Sequence, residues 1–362
     1  MKSNTVKAKY VGLDVGSKNI KVLHLKPAGK DKLKVEKWAV LPLPDNVVSP
    51  DVLAETRMPV VQGVINEYFA KNKSVPRKVV ISVAGSSVVI RYIKLPQMSR
   101  DELEKSIGME AEPFIPFPIV EVNLAFDVLG EVLDEGVKKN EIALVAARKE
   151  VVNGRLELMD ACKLAPQAID VDVFALETAV GFATDAADKV VGIVNIGANT
   201  TNVGIIEEGT TRVSRDLPMG MSYIIQSVKN IQQIDDTKVI DEHLRTDGLI
   251  IREEDKERYL EQDKKDALLF SKNLTSVLKE ITAELRKIVD FYYFQKGEQK
   301  PITKLYLSGG GSIIKNLDVY LSEDLKLPVE IFDPFKKLVN GERVPQDVRP
   351  LMAVALGLAL KK

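Results

Sequence analysis

One short pattern occurs twice, and its recurrence constrains this chain more than any other feature. VGLDVGSKNIKVLHL begins at Val11 and GIVNIGANTTNVGII at Gly192. Asp14 aligns with Asn195, Gly16 with Gly197, and Ser17-Lys18-Asn19 with Ala198-Asn199-Thr200. The offset of 181 positions is half of the 362-residue length. Each copy reads as strand, tight loop, strand, with β-branched runs flanking a glycine and small polar residues. The glycine permits a tight turn, and small neighbours let backbone N–H groups approach an anion closely. Ser17, Lys18, Thr200 and Thr201 add side-chain donors, so each loop is a candidate phosphate cradle. One copy alone would be an ordinary hairpin turn. Two copies in register imply two related α/β halves that face each other.

A third glycine cluster lies in KLYLSGGGSIIKNL, from Lys304. A strand runs into Gly309-Gly310-Gly311, and a helix is expected from about Ser312. Glycines let a flat ligand lie against backbone, and a helix N-terminus favours negative charge. Beside two phosphate cradles, this is where an adenosine would lie.

Composition removes several function classes. Lys plus Arg total 51 and Asp plus Glu 52, so wholesale charge-driven binding to nucleic acid or membrane is not expected. The single cysteine, Cys162, excludes an internal disulfide or a multi-cysteine metal site and reads as a small buried apolar residue. His24 and His243 stand in unrelated contexts, as structural or solvent-exposed residues, with no support for zinc or a histidine triad. The N-terminal MKSNTVKAKY lacks the apolar core of a signal peptide. No apolar run reaches the ~20 residues that span a bilayer, and LMAVALGLAL, 351–360, reads as a buried helix. The expectation is a cytoplasmic protein that meets a membrane only through partners.

Residues 78–164 form a block of their own. KVVISVAGSSVVIRYIKLP reads as two strands around a turn. A helix follows, with Ser99 and Glu102 at capping-box spacing and Pro113 at its end. VNLAFDVLG and NEIALVAAR read as strands and EVVNGRLELMDACKLA as a helix, together a small inserted α+β domain. Phe114, Ile115, Pro116 and Phe117 make an apolar, proline-stiffened corner. It either docks a partner at reduced entropic cost or packs the insert onto its lobe. A strand edge of the block also offers β-augmentation to an extended peptide. In the second insertion, 228–300, the densely charged stretch 235–265 reads as solvated. From Ala267, apolar residues recur at helical spacing, predicting a long helix packed on the lobe. Glu284 and Lys287 share a face of it, which by itself means a surface ion pair.

The order of two phosphate loops and an adenosine loop resembles the actin-like ATPase superfamily. That resemblance implies an α/β fold of two lobes, each a mixed sheet with helices, with nucleotide in the cleft between them. Longer stretches resemble the PilM family of that superfamily: EAEPFIPFPIVEVNLAFDVL from Glu110, ALVAARKEVV from Ala143, IDVDVFALETA from Ile169, LRKIVDFYY from Leu285, and LSGGGSIIKNLDVYLSEDLKLPVEIFDPFKKL from Leu307. The resemblance implies a cytoplasmic component of type IV pilus assembly that binds ATP with Mg²⁺. It would grip the N-terminal peptide of the inner-membrane protein PilN between the first lobe and an SHS2-like, FtsA-type (1C) insert. Through PilN it would join PilO and PilP, with pilus motor ATPases as further candidate partners. The implied domain map is a first lobe of 1–77, 165–186 and 336–362, an insert of 78–164, a second lobe of 187–227 with 301–335, and a helical insertion of 228–300. By the same resemblance, Glu284 and Lys287 touch ribose and adenine. Asp172 is then the candidate to orient an attacking water, while its residue type and place equally suit a helix N-cap.

In the superfamily, aspartates before both phosphate loops orient the water shell of Mg²⁺. Asp14 is present, and Asn195 stands in the partner position. An asparagine Oδ1 accepts a hydrogen bond from a metal-bound water but brings no charge. A unit charge pair 4 Å apart is worth roughly 4 kcal/mol at an effective dielectric near 20. Phosphate contacts from two loops can absorb such a loss for binding, whereas phosphoryl transfer depends on the metal's field. The expectation is firm ATP binding with slow or absent hydrolysis. Competing readings are a small-molecule kinase, an FtsA-like filament protein and a GspL-like secretion protein. The first needs a substrate pocket and an acidic base, the second a C-terminal amphipathic helix, the third a membrane span.

Overall fold

A computed structural model describes residues 9–30, 32–296 and 300–361, and the polar start of the chain lies outside them. Strand β1 (Val11–Val15) turns back into β2 (Asn19–Pro27), and β2 into β3 (Leu33–Pro42). Helix α1 (Ala54–Lys71) crosses over so that β4 (Lys78–Val83) returns parallel to β1. The chain then builds β5 (Val88–Pro96), α2 (Arg100–Ala111), β6 (Val122–Asp134), β7 (Val137–Arg148) and α3 (Lys149–Ala161). It rejoins the first sheet as β8 (Ala165–Val171), parallel to β4, and leaves through α4 (Asp172–Ala183).

The second half repeats this plan. β9 (Val190–Ile196), β10 (Thr201–Glu207) and β11 (Thr210–Leu217) form an antiparallel meander. Helices α5 (Met221–Gln232), α6 (Thr237–Thr246), α7 (Glu253–Glu261) and α8 (Lys265–Lys296) follow. β12 (Ile302–Ser308) returns parallel to β9, and after α9 (Leu317–Leu325) β13 (Val329–Ile331) pairs parallel to β12. Helix α10 (Ala353–Leu360) completes the second half. The sheet orders are β3-β2-β1-β4-β8 and β11-β10-β9-β12-β13, the same five-strand arrangement twice. The repeat seen in two loops therefore extends to whole sheets.

The insert has its own antiparallel sheet, ordered β5-β7-β6, with a core of Ile93, Leu103, Ile142 and Leu144. Two expectations change here. The strands in KVVISVAGSSVVIRYIKLP do not pair with each other: β4 belongs to the first sheet and β5 to the insert. Gly85, at φ +88, turns the chain out of one and into the other. Helix α3 also departs from the insert, because Leu158 and Met159 pack into the first-lobe core with Cys162 beyond its end. Ser99 caps α2 in a capping box with Glu102, as the spacing predicts. No α-helix starts at Ser312. Residues 310–313 form a single 3₁₀ turn, since the backbone at Gly311 lies against the Ile196 side chain and three glycines propagate helix poorly. The long helix predicted from Ala267 is α8, with Leu274, Leu278, Ile281 and Leu285 buried.

Between the two sheets lies a wedge of α4 and α10. Every residue of α10 is buried. Its apolar cluster takes in Leu23 and Val80 from the first sheet and Val191 and Ile193 from the second. The helices meet backbone to backbone: a Cβ at Gly357 would stand 1.8 Å from the Ala175 carbonyl oxygen. A Cβ at Gly12 would stand 2.1 Å from the Ala355 carbonyl oxygen, so β1 is pressed on α10 in the same way. Helix propensity alone would favour alanine over Gly357 by about 1 kcal/mol, and the clash opposes it. Gly357→Ala is therefore expected to destabilise the protein by about 2 kcal/mol or more in chemical denaturation; a variant as stable as the parent would mean that the wedge can spread freely.

Candidate functional site

The loops β1–β2 and β9–β10 face a common cleft of about 510 Å³. Both loops line it, with Asp172 at the start of α4 and with Gly309 and Gly310 after β12. Gly309 takes φ +80, and a Cβ there would stand 2.7 Å from Asn195 Oδ1, so only glycine lets β12 end against that amide.

The strand register sets the chemistry at the base of each loop. Asp14 lies opposite Lys21, and Lys21 Nζ is 3.0 Å from Asp14 Oδ2 with both side chains largely buried. At the equivalent positions, Asn195 lies opposite Asn202 and its Nδ2 donates to Asn202 Oδ1 at 3.0 Å. Asn202 Nδ2 then donates to Asp216 Oδ1 at 2.8 Å, and Asp216 Oδ2 accepts from the Gly85 N–H at 2.6 Å. One loop is thus based on an ion pair and the other on a chain of amides. The sequence reading missed Lys21, although the offset that aligns Asp14 with Asn195 also aligns Lys21 with Asn202.

The loop carbonyls are occupied from behind. Arg57 of α1 donates through Nη2 to Gly16 O at 2.8 Å, and Arg155 of α3 to Val15 O at 3.0 Å. In the second loop, the Met221 and Ser222 N–H groups at the start of α5 donate to Gly197 O and Ala198 O at 2.9 and 2.8 Å. The N–H groups of Ser17, Lys18, Ala198 and Asn199 donate to no protein acceptor among the described residues. Such unpaired donors, lining a cleft from two sides, suit a polyanion. Two contacts join the lobes at its rim: Asn199 Nδ2 donates to Val48 O at 2.8 Å, and Lys18 lies 3.8 Å from Asp241.

The remaining expected residues separate. Thr201 is fully buried and its hydroxyl donates to Met219 O at 2.6 Å, so it fixes the loop and does not face the cleft. Gly311 packs on Ile196, and the Ser312 hydroxyl donates to Gly309 O at 2.7 Å, which holds the turn. Glu284 and Lys287 pair with each other at 2.6 Å on α8 and do not belong to the cleft lining. Of the corner residues, Ile115 is buried and Phe117 packs beside it under Arg148, whose guanidinium stands 4.6 Å from the ring centroid. Phe114 stays 42% exposed and Pro116 is exposed too, so these two corner residues offer apolar side chains to a partner. The charged stretch read as solvated supplies Asp241 and Arg245 to the cleft. Helix α6 carries them because Ile240 and Leu244 anchor its other face, a four-residue spacing visible in the sequence.

Asp172 is the first residue of α4, and Val171 precedes it as the cap position with no side-chain cap. Burial raises its carboxyl first, then the negative charge of Asp14; a Ser82 hydrogen bond and the Arg155 charge work the other way. Burial lowers the guanidinium of Arg155, and burial followed by Arg155 itself lowers that of Arg57. Two carboxylates that repel each other in a cleft mark a place where a cation is favourable. No group of three or more His, Cys, Asp or Glu suited to a metal occurs among the described residues. Asp14 and Asp172 both line the cleft, a donor set that fits an ion held through waters and phosphates. His243 stacks on Phe270 and bonds Asp247, and His24 is buried in β2, so both are structural.

The model of a family described as type IV pilus assembly protein PilM matches residues 12–243 and 253–362. A solved PilM–PilN type IV pilus biogenesis complex contains a chain of 26% identity and TM-score 0.79, covering 97% of this chain and 98% of that one. Ethanolamine utilization protein EutJ from Carboxydothermus hydrogenoformans matches at 13% identity and TM-score 0.51, over 97% and 89% of the two chains. MreB5 of Spiroplasma citri bound to ADP matches at 12% identity and TM-score 0.52, over 97% and 95%. These last two share the actin-like fold.

A raised carboxyl binds its proton more tightly in the folded state, so its ionisation costs stability as pH rises past the unfolded value near 4. Asp172→Asn should accordingly stabilise the nucleotide-free protein at pH 8, by on the order of 1 kcal/mol given its access to the cleft. The gain should shrink on acidification and vanish below about pH 4. Thermal melts of both proteins across that range would check this, and a gain independent of pH would remove the electrostatic explanation.

Proposed function

The chain belongs to the PilM family of type IV pilus assembly proteins, and we propose that it holds ATP between its lobes while its insert grips the N-terminal peptide of PilN. The observation that carries the nucleotide reading is the pair of facing loops in which the carbonyls of Val15, Gly16, Gly197 and Ala198 accept hydrogen bonds while the N–H groups of Ser17, Lys18, Ala198 and Asn199 meet no acceptor among the described residues. Phosphates would lie between them, near Lys18 and Lys21, and the adenosine against Gly309 and Gly310. Bound Mg²⁺ would neutralise phosphate charge, held through water by Asp14 and by the uncharged Oδ1 of Asn195. Asp172, which lines the cleft, would hold a water there. With Lys21 already paired to Asp14 and with Asn195 neutral, the site favours retention of ATP over its cleavage.

The peptide reading rests on family membership and on the 26% identity to a chain solved in complex with PilN. Phe114, beside the groove between insert and first lobe that the family resemblance implies, is the exposed anchor. Through PilN the protein would sit at the inner face of the inner membrane and join PilO and PilP, with motor ATPases as further candidates. No helix among the described residues is long and apolar enough to cross a membrane itself.

Protein denatured after purification should release ATP, and turnover in Mg²⁺ should be slow or absent. Many turnovers per minute would reject the holding role. A Cβ at Gly197 would stand 2.8 Å from Thr200 O, so Gly197→Ala should weaken ATP binding by about tenfold or more by calorimetry. Phe114→Ala should weaken PilN-peptide binding about tenfold with an unchanged melting temperature. Unaltered peptide affinity would move the docking site elsewhere.

A further inference from the structure

The amide chain below the second loop has a direction, and one residue fixes it. A carboxylate only accepts hydrogen bonds. Asp216 accepts at both oxygens, from Asn202 Nδ2 and from the Gly85 N–H. Asn202 must therefore turn its NH₂ to Asp216 and its oxygen to Asn195. Asn195 must in turn give its NH₂ to Asn202. Its own oxygen is left at Gly309 and the cleft. The group that meets a ligand is thus chosen two side chains away, on β11.

The far end of this chain is a joint. Gly85 lies between β4 of the first sheet and β5 of the insert, in a left-handed conformation. The same strand β11 touches the insert again through Arg212, whose Nη1 is 2.7 Å from Glu141 on β7, with both side chains mostly buried. The nucleotide-facing amide, by way of Asn202, and the root of the insert therefore meet at one carboxylate.

We propose that Asp216 is a positioning residue: it sets the polarity of the phosphate-loop amide and ties the cleft to the joint of the insert. A ligand that pulls on Asn195 alters the hydrogen bond that holds Gly85, and movement of the insert alters Asn195 by the same path. The link to function rests on the ATP reading above; the polarity does not. In Asn195→Asp, Asn202 faces an acceptor on both sides and can satisfy only one. In Asn195→Asp with Asp216→Asn, the chain can run in reverse. The introduced amide on β11 donates to Asn202 Oδ1, and Asn202 Nδ2 donates to the introduced carboxylate on β9. The oxygen of the β11 amide still accepts from the Gly85 N–H.

The test is a cycle of thermal melts on the nucleotide-free full chain. Asn195→Asp should lower the midpoint by about 3 °C or more in the parent. In the Asp216→Asn background it should cost less than half as much. Equal losses in the two backgrounds, or no loss in the parent, overturn the polarity. Amide hydrogen exchange then tests the link. ATP should slow exchange at Gly85 severalfold in the parent and leave it unchanged in Asp216→Ala. Unchanged exchange at Gly85 in a parent that binds ATP overturns the link. No ATP binding at all overturns the nucleotide reading and the link with it, while the melts still decide the polarity.

Discussion

Everything in this molecule is arranged around the contact between α4 and α10. Two sheets of the same order each need one face covered, and these two helices cover both at once. Because α10 is apolar on every side, it has no stable place except between sheets. Glycine at 357 and at 12 lets the layers close to backbone distance, so the wedge is thin. A thin wedge brings the ends of β1 and β9 together, and their loops face each other across one cleft. The start of α4 and part of α10 then form its floor, with Asp172 and Val354 in the lining.

The two halves have kept the same backbone and diverged in charge. Asp14 and Lys21 in the first correspond to Asn195 and Asn202 in the second. The first pair brings two opposite charges, the second none. A site with this asymmetry keeps the geometry of a phosphate cradle from both sides but presents carboxylate charge from one. In the proposed site, binding would depend on the number of donors, which survives, and turnover on the field at a bound metal, which a neutral Asn195 would reduce. The family's place in pilus assembly is compatible with a nucleotide that acts as a structural ligand.

The insert is attached to more than the lobe that it interrupts. Its chain leaves the first sheet at Gly85 and comes back through α3, whose Arg155 reaches Val15 O at the base of the first loop. Gly85 and Glu141 also bond β11 of the second lobe. Under the proposed link, a change in lobe closure would reach the insert from both sides. Coupling between two ligands is reciprocal, so under the proposed link a nucleotide that changes peptide affinity by some factor would have its own affinity changed by the peptide by that same factor.

Much of this was legible from residue order. Hairpin loops, the capping box at Ser99, the long helix α8 and the duplication are short-range or periodic signals, and a chain carries them locally. The loop offset even held the clue to Lys21, which lies opposite Asp14 only once strands are paired. Other features have no local signature. Arg57 and Arg155 reach the first loop from 41 and 140 positions away, and α6 swings Asp241 and Arg245 to the cleft from a stretch that reads as solvated. That β4 and β5 belong to different sheets, or that Asp216 decides which atom Asn195 shows, depends on which strands become neighbours. The loops, the repeat and the family are readable in residue order, because those rest on contiguous residues. How charge is shared around the cleft is settled by packing, because hydrogen bonds and ion pairs depend on distances between elements far apart in the chain.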